Sequence, residues 1–223
     1  MKILILVIAC ETHPLFKQLK VEWRKNTHPS VKTIFIQYSL NVNEIILVDD
    51  DTLFLPGTES FEGITRKTVE SLEYFLHYTN FTHVIRTNLS SVWHFPRLIS
   101  YLKTREMTGL FTGVMGTDNS RYFISGAGMY MSRDVAELLV KNKEKVYTYL
   151  FQDDLAISYA LHDLGVKLTS SSNRFDLVTP ELFNTNKYNI PINIHHFRLK
   201  QITDRSVEPK FMKELIELFP KMI

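Results

Sequence analysis

The chain has 223 residues, 44% of them apolar, enough for one sizeable hydrophobic core, and its 26 Lys and Arg against 24 Asp and Glu leave a formal net charge of +2. So balanced a charge excludes the overall field that draws a protein onto nucleic acid or an anionic membrane, and no nucleic-acid partner is expected. The single cysteine, Cys10, excludes an internal disulfide framework and a multi-cysteine zinc site, which fits a reducing, cytoplasmic location.

The chain opens with Lys2 and the apolar, β-branched run from Ile3 to Ala9, which stops at Cys10-Glu11 without a small-x-small cleavage site. The pattern predicts a first buried strand rather than a signal peptide. No stretch reaches the roughly 18 apolar residues that a membrane span needs. Leu15, Leu19 and Trp23 predict a helix from Pro14 to Lys25, followed by short strands at Thr33 to Ile36 and Glu44 to Val48, the latter running into Asp49-Asp50-Asp51. Ile64, Val69, Leu72, Phe75 and Leu76 predict a helix over residues 60 to 78. His83 to Arg86 reads as a strand that delivers Thr87-Asn88-Leu89-Ser90-Ser91 to its carboxyl end, and Pro96 to Lys103 as the next helix.

Leu110 to Val114 and Tyr122 to Ile124 are short strand candidates, followed by a small-residue turn, Ser125-Gly126-Ala127-Gly128. Helices are predicted at Ser132 to Lys141 and Asp153 to Leu164, with Ser132 and Asp153 as N-caps. No repeat or linker divides the chain. The alternation of strands and helices implies a single α/β domain with a mostly parallel central sheet and helices on both faces, and ligands in such sheets bind beyond the carboxyl ends of the strands.

Four polar clusters are candidates for chemistry. Asp49-Asp50-Asp51 has carboxylates for a hard divalent ion, and equally the composition of an acidic turn. Asp153-Asp154 puts two carboxylates at a helix start, where the helix keeps them ionised and ready to accept a proton, or where they serve only as helix-start acids. The glycines of Ser125 to Gly128 permit a close backbone approach, but the segment matches no phosphate-binding glycine fingerprint. His195-His196-Phe197-Arg198-Leu199-Lys200 with Arg205 gathers phosphate-binding cations, or forms an exposed basic edge strand; in a strand, His196 and Arg198 share a face.

Taken in order, Glu59-Ser60 with Lys67-Thr68, the strand Val84 to Asn88, Ser125 to Gly128 leading to Ser132-Arg133-Asp134, and Asp153-Asp154 resemble the GT-A glycosyltransferases of the fringe and β-1,3-galactosyltransferase type. Related small glycosyltransferases of bacteria and large DNA viruses share this resemblance. It implies a GT-A (Rossmann-like) fold and an inverting, hexosyltransferase-like transfer from a nucleoside-diphosphate sugar, a UDP-sugar favoured, to a glycan or other hydroxyl acceptor. The implied base is Asp154, with Asp153 as second choice. Ser125, Gly126, Ala127 and Gly128 would line the acceptor side. The nucleotide sugar would meet Ala9, Cys10, Glu11, Thr12, Asp51, Lys67, Arg86, Thr87, Asn88, Ser90, Arg198 and Lys200.

The chain departs from the family where a D-x-D motif holds a divalent ion against the diphosphate, because the matching positions read Asn88-Leu89-Ser90. Neutral ligands weaken a hard-cation site. Three readings stand: an ion, Mn2+ or Mg2+, held weakly by Asn88 and the diphosphate oxygens, with His196 as a further candidate ligand; metal-free catalysis by Arg86, Arg198 and Lys200; or a nucleotide- or carbohydrate-binding protein that no longer catalyses.

Overall fold

The structure is a computed structural model that describes residues 1–10, 12–119, 121–149 and 152–222. At its centre is β1 (Ile3–Ile8), paired in parallel on one side with β2 (Val31–Ser39) and on the other with β5 (His83–Asn88). Between β1 and β2 runs α1 (Pro14–Trp23). After β2 come β3 (Ile46–Val48), β4 (Thr52–Pro56) and α2 (Ile64–Tyr78). Beyond β5 the chain forms β6 (Ser91–Trp93), α3 (Phe95–Lys103), β7 (Phe111–Asp118), β8 (Arg121–Ser132), α4 (Arg133–Lys141), α5 (Lys143–Tyr147) and α6 (Asp153–Asp163). The last part holds β9 (Leu168–Ser170), β10 (Arg174–Asp176), α7 (Pro180–Asn186), β11 (His196–Arg198) and α8 (Glu208–Leu218).

The main sheet has the order β3-β4-β2-β1-β5-β8-β7-β9. It is parallel through β4-β2-β1-β5, and β3, β8 and β7 join antiparallel. The period-2 alternation of β1 explains the two-faced packing. Ile3, Ile5 and Val7 pack with Leu19 and Trp23 of α1, Leu98 and Leu102 of α3, and Met212 and Leu215 of α8. Leu4 and Leu6 point the other way, to Val69 and Leu72 of α2, Leu139 of α4 and Ile157 and Leu161 of α6. Each such buried side chain contributes roughly 1.5–3 kcal/mol of transfer free energy, which the two cores need to offset the ordering of the chain. The α/β class with helices on both faces follows directly from this pattern. Among the described residues no helix is long and apolar enough to cross a membrane.

A smaller sheet, β10-β11-β6, lies against the carboxyl end of β5. It corrects one expectation, since β11 is its middle strand and not an exposed edge, and His195 and His196 are both buried. Ser125 to Gly128 is not a turn but the interior of the long strand β8, paired with β5 and β7. The glycines misled because they serve strand packing: a Cβ on Gly128 would stand 2.7 Å from the His196 ring. Asp153 is the first helical residue of α6, and Gln152 holds the N-cap position. Ser132 holds the N-cap of α4, but its hydroxyl bonds Asp134 and the Leu110 amide instead of capping.

Candidate active site

At the carboxyl ends of β1 and β5 lies a cleft of about 420 Å3. Its floor is Ile8, Ala9 and Cys10 after β1 and Asn88 to Ser91 after β5. One wall is the segment before α2 with its first turn, from Glu59 to Lys67; the other carries Arg198, Lys200 and Arg205, with Thr12 and Phe16 at the start of α1. Strand ends meet there because parallel pairing brings Ile8 level with Asn88. An apolar lining of Phe16, Phe61, Ile64 and Leu89 beside cations suits a flat, partly apolar ligand that carries negative charge.

Lys67 is buried, and its ammonium reaches the Ala9 carbonyl at 3.0 Å and Glu59 at 2.6 Å. Burial pushes its pKa down, while the Glu59 carboxylate pulls in the opposite direction. Glu59 also accepts the backbone N–H of Tyr38 at 2.6 Å. The pair therefore ties α2 to the ends of β1 and β2.

Beside the cleft, Arg86 of β5 is 2% exposed and joins three elements. Its Nη1 donates to Asn88 Oδ1 at 3.0 Å and to the Gly126 carbonyl of β8, and its Nη2 pairs with Asp153 of α6. A Cβ on Gly126 would lie 2.6 Å from that Nη1, so the position takes glycine to admit the guanidinium. Burial raises the Asp153 pKa, which the Arg86 charge opposes. Asp153 is thus spent on Arg86. Asp154 turns the other way, is half-buried, and accepts the N–H groups of Gly126 and Leu155, each at 3.1 Å. Each of its oxygens keeps a lone pair for a further donor.

Arg198 connects the two regions. It lines the cleft, lies opposite Asp176 and Ser91 in the small sheet, and sits in the field of Arg174, Asp176 and Asp154, while burial pushes its pKa down. Among the described residues neither Arg198 nor Lys200 donates a side-chain hydrogen bond. On the far side, Arg174 holds Ser125 at 3.1 Å and pairs with Asp176 at 2.8 Å. Through these contacts the Ser125 segment and Asp154 connect to the small sheet that carries Arg198, and neither Ser125 to Gly128 nor Asp153-Asp154 lines the cleft.

The structure brings together Ala9, Cys10, Thr12, Lys67, Asn88, Ser90, Arg198 and Lys200 in one cleft. Arg86 and Thr87 lie beneath the floor, and Thr87 bonds the Ala127 carbonyl at 2.6 Å. Glu11 lies outside the described residues. Asp51 is elsewhere: it immediately precedes β4, at the opposite end from the strand termini that form the cleft, and pairs with Arg24 at 2.6 Å. Asp49 and Asp50 form the tight turn before it, with φ of 51° and 58°. His196 is buried, stacked on Trp93 at 4.0 Å and bonded to Ser91 at 3.2 Å. Among the described residues no three His, Cys, Asp or Glu side chains gather as a metal site. The cleft also uses Phe16 and Phe61, which sequence reasoning did not single out, and Ile64, read only as a helix-face residue; their place before and within the first turns of α1 and α2 was the available signal.

The fold and this cleft define an α/β protein with a ligand site at the carboxyl ends of its parallel strands. Its fold is similar to that of a glycosyltransferase involved in the glycosylation of the major capsid of PBCV-1, with a TM-score of 0.56 over 96% of this chain and 100% of that one. The two sequences are 5% identical, so the likeness is one of fold. No protein-family model and no curated protein matches the sequence.

Proposed function

We propose that this chain is a glycosyltransferase that moves a sugar, in the manner of a hexosyltransferase, from a nucleoside-diphosphate sugar to a hydroxyl of a glycan or other acceptor. The observation that carries the reading is the cleft at the carboxyl ends of β1 and β5 with Arg198 and Lys200 in its wall, neither of which donates a side-chain hydrogen bond among the described residues, while the charge of Asp154, outside the lining, reaches Arg198. The fold shared with a glycosyltransferase supports it. A UDP-sugar is the favoured donor, with the nucleoside against Ala9 to Thr12 and the apolar wall.

In this reading Asp154 takes the proton of the acceptor hydroxyl, and the oxygen forms a bond to the anomeric carbon as the bond from that carbon to the diphosphate breaks. The diphosphate leaves with the bonding pair, and attack from the opposite side inverts the centre. Asp154 stands in the first turn of α6, and the Gly126 and Leu155 N–H groups hold its carboxylate in place, as a base requires. Ser125 to Gly128 lie next to Asp154 and are the acceptor side.

The test is a donor panel of UDP-, GDP- and CMP-sugars offered with simple sugar acceptors, with and without Mn2+, scored by nucleotide release and product mass. Turnover of a UDP-sugar is expected. Nucleoside diphosphate binding without turnover of any donor would favour the competing reading, a binding protein that does not catalyse, which the Asn88-Leu89-Ser90 segment motivates.

A further inference from the structure

The GT-A resemblance implies a divalent ion at the end of β5, and the donor set there does not fit one. Hard cations of this kind take six or more oxygens, carboxylates prominent among them. The two polar positions, Asn88 and Ser90, are neutral, and each already bonds a guanidinium: Asn88 Oδ1 accepts from Arg86 at 3.0 Å, and Ser90 Oγ from Arg205 at 2.8 Å. Three described carboxylates near them, Glu59, Asp153 and Glu208, are committed to cations, and Asp154 is held by the Gly126 and Leu155 amides and does not line the cleft. Glu59 holds Lys67, Asp153 holds Arg86, and the fully buried Glu208 accepts from Ser90 at 2.8 Å and pairs with Arg205 at 2.7 Å. His196 is buried against Trp93 and does not line the cleft.

We propose that the cleft binds the diphosphate of its ligand without a divalent ion, through Arg198, Lys200 and Arg205. The proposal rests on the nucleotide-sugar reading above. Arg198 and Lys200 line the cleft and, among the described residues, donate no side-chain hydrogen bond. Each phosphate of a nucleotide sugar carries one negative charge, so these two cations match it. Arg205 adds a directed donor: its Nε and Nη2 are fixed by Glu208 and Ser90, its guanidinium lies over Phe16 at 5.5 Å, and its Nη1 bonds no described residue. The buried Glu208 thereby fixes an arginine against Ser90, within the segment that matches the D-x-D of the resemblance. Arginine geometry matches phosphate oxygens in pairs, which makes the substitution chemically sound.

The experiment is calorimetric titration of the full chain with UDP and, separately, GDP, first in EDTA and then in excess Mn2+. We expect binding in EDTA and a Kd that changes by less than about threefold on adding Mn2+. Lys200→Ala and Arg198→Ala should each weaken binding in EDTA by about tenfold. Lys200 is exposed, so its variant tests the proposal even where Arg198→Ala alters folding. Arg205→Lys, which keeps a charge beside Glu208, should weaken binding less than Arg198→Ala. Binding that requires Mn2+, or a Kd untouched in both alanine variants, overturns the proposal and leaves the nucleotide reading standing. Binding of neither nucleotide under either condition overturns the nucleotide reading itself.

Discussion

The acidic triplet Asp49-Asp50-Asp51 and the acidic pair Asp153-Asp154 look alike in sequence, each a carboxylate cluster beside an apolar element, and their surroundings are opposite. The triplet makes the turn of an edge hairpin; the side chain of Asp50 is 79% exposed and pairs with Lys32, and Asp51 pairs with Arg24. The pair opens a helix whose start abuts the middle of the sheet, with Asp153 buried on Arg86 and Asp154 held at the Gly126 amide. The number of carboxylates does not distinguish them. Strand direction does, because β4 carries Asp51 at its amino end while the cleft lies at the carboxyl ends of β1 and β5.

The largest expected effect separates the two clusters in turnover. Asp154→Asn should lower transfer by about 10²–10⁴-fold, the usual worth of a general base, with the Kd for UDP unchanged by titration. Asp50→Asn in the triplet should leave the rate as it is. Equal rates for Asp154→Asn and wild type would remove the base from α6 and, with it, the functional half of the contrast.

Next in size is the cost of breaking the buried partner of the pair. Arg86→Ala leaves Asp153 buried without its cation, and losing one member of a buried ion pair costs about 3–5 kcal/mol. Urea unfolding should show that loss, and Asp153→Ala added to Arg86→Ala should recover part of it. A loss below about 1 kcal/mol would put the pair in the same energetic class as the surface bridges of the triplet.

Much of this was legible in the sequence. The unbroken apolar run from Ile3 to Ile8 and the helical spacing of Val69, Leu72 and Phe75 pointed to the parallel core, because a strand buried on both faces reads as a continuous apolar run and an amphipathic helix as a 3.6-residue period. The carboxyl-end rule pointed to Asn88 and Ser90, and the family resemblance to Ala9, Cys10 and Thr12, all of which line the cleft. Short elements were missed: β4 has five residues and β6, β9 and β10 three each, too few for a period to show. The predicted strand from Glu44 to Val48 is only the antiparallel edge strand β3, and the parallel neighbour of β2 is the unrecognised β4. Ser125 to Gly128 was misread because its glycines answer to Arg86 and His196, which approach from distant positions in the chain and leave no local signal. The commitment of Asp153 to Arg86 was hidden for the same reason.

A third effect concerns the ground beside the cleft. Burial holds the His195 pKa down to about 3 and that of His196 well below the ordinary 6.5. Between those values and 6.5 the unfolded chain binds protons that the folded chain does not, so this stability is complete above pH 6.5 and is lost as pH falls. Each histidine that stays neutral contributes a slope of about 1.4 kcal/mol per pH unit. Urea unfolding from pH 7.5 to 5 should show the loss, and His195→Asn should make it shallower. An unchanged slope in that variant would assign the acid sensitivity to other groups.

The smallest effect is at Asp51, and it tests whether the triplet is only a turn. Its partial burial pushes its pKa up, but hydrogen bonds from Arg24 and Thr52 outweigh this and hold it below the usual 3.8. A lowered carboxylate pKa means stability that is present above the unfolded value and is lost as pH falls below it. The side chain of Arg24 is 45% exposed, so solvent screens the bridge and Asp51→Asn should cost only about 0–1 kcal/mol at pH 7. As pH falls from 3.8 the unfolded chain takes up the proton first and the difference should shrink, vanishing once pH is below the lowered folded-state value and wild-type Asp51 is protonated in both states. The UDP titration should not move at all, since β4 delivers Asp51 away from the cleft. A weakened Kd in this variant would carry the nucleotide contact across to β4 and undo the division between the two acidic clusters.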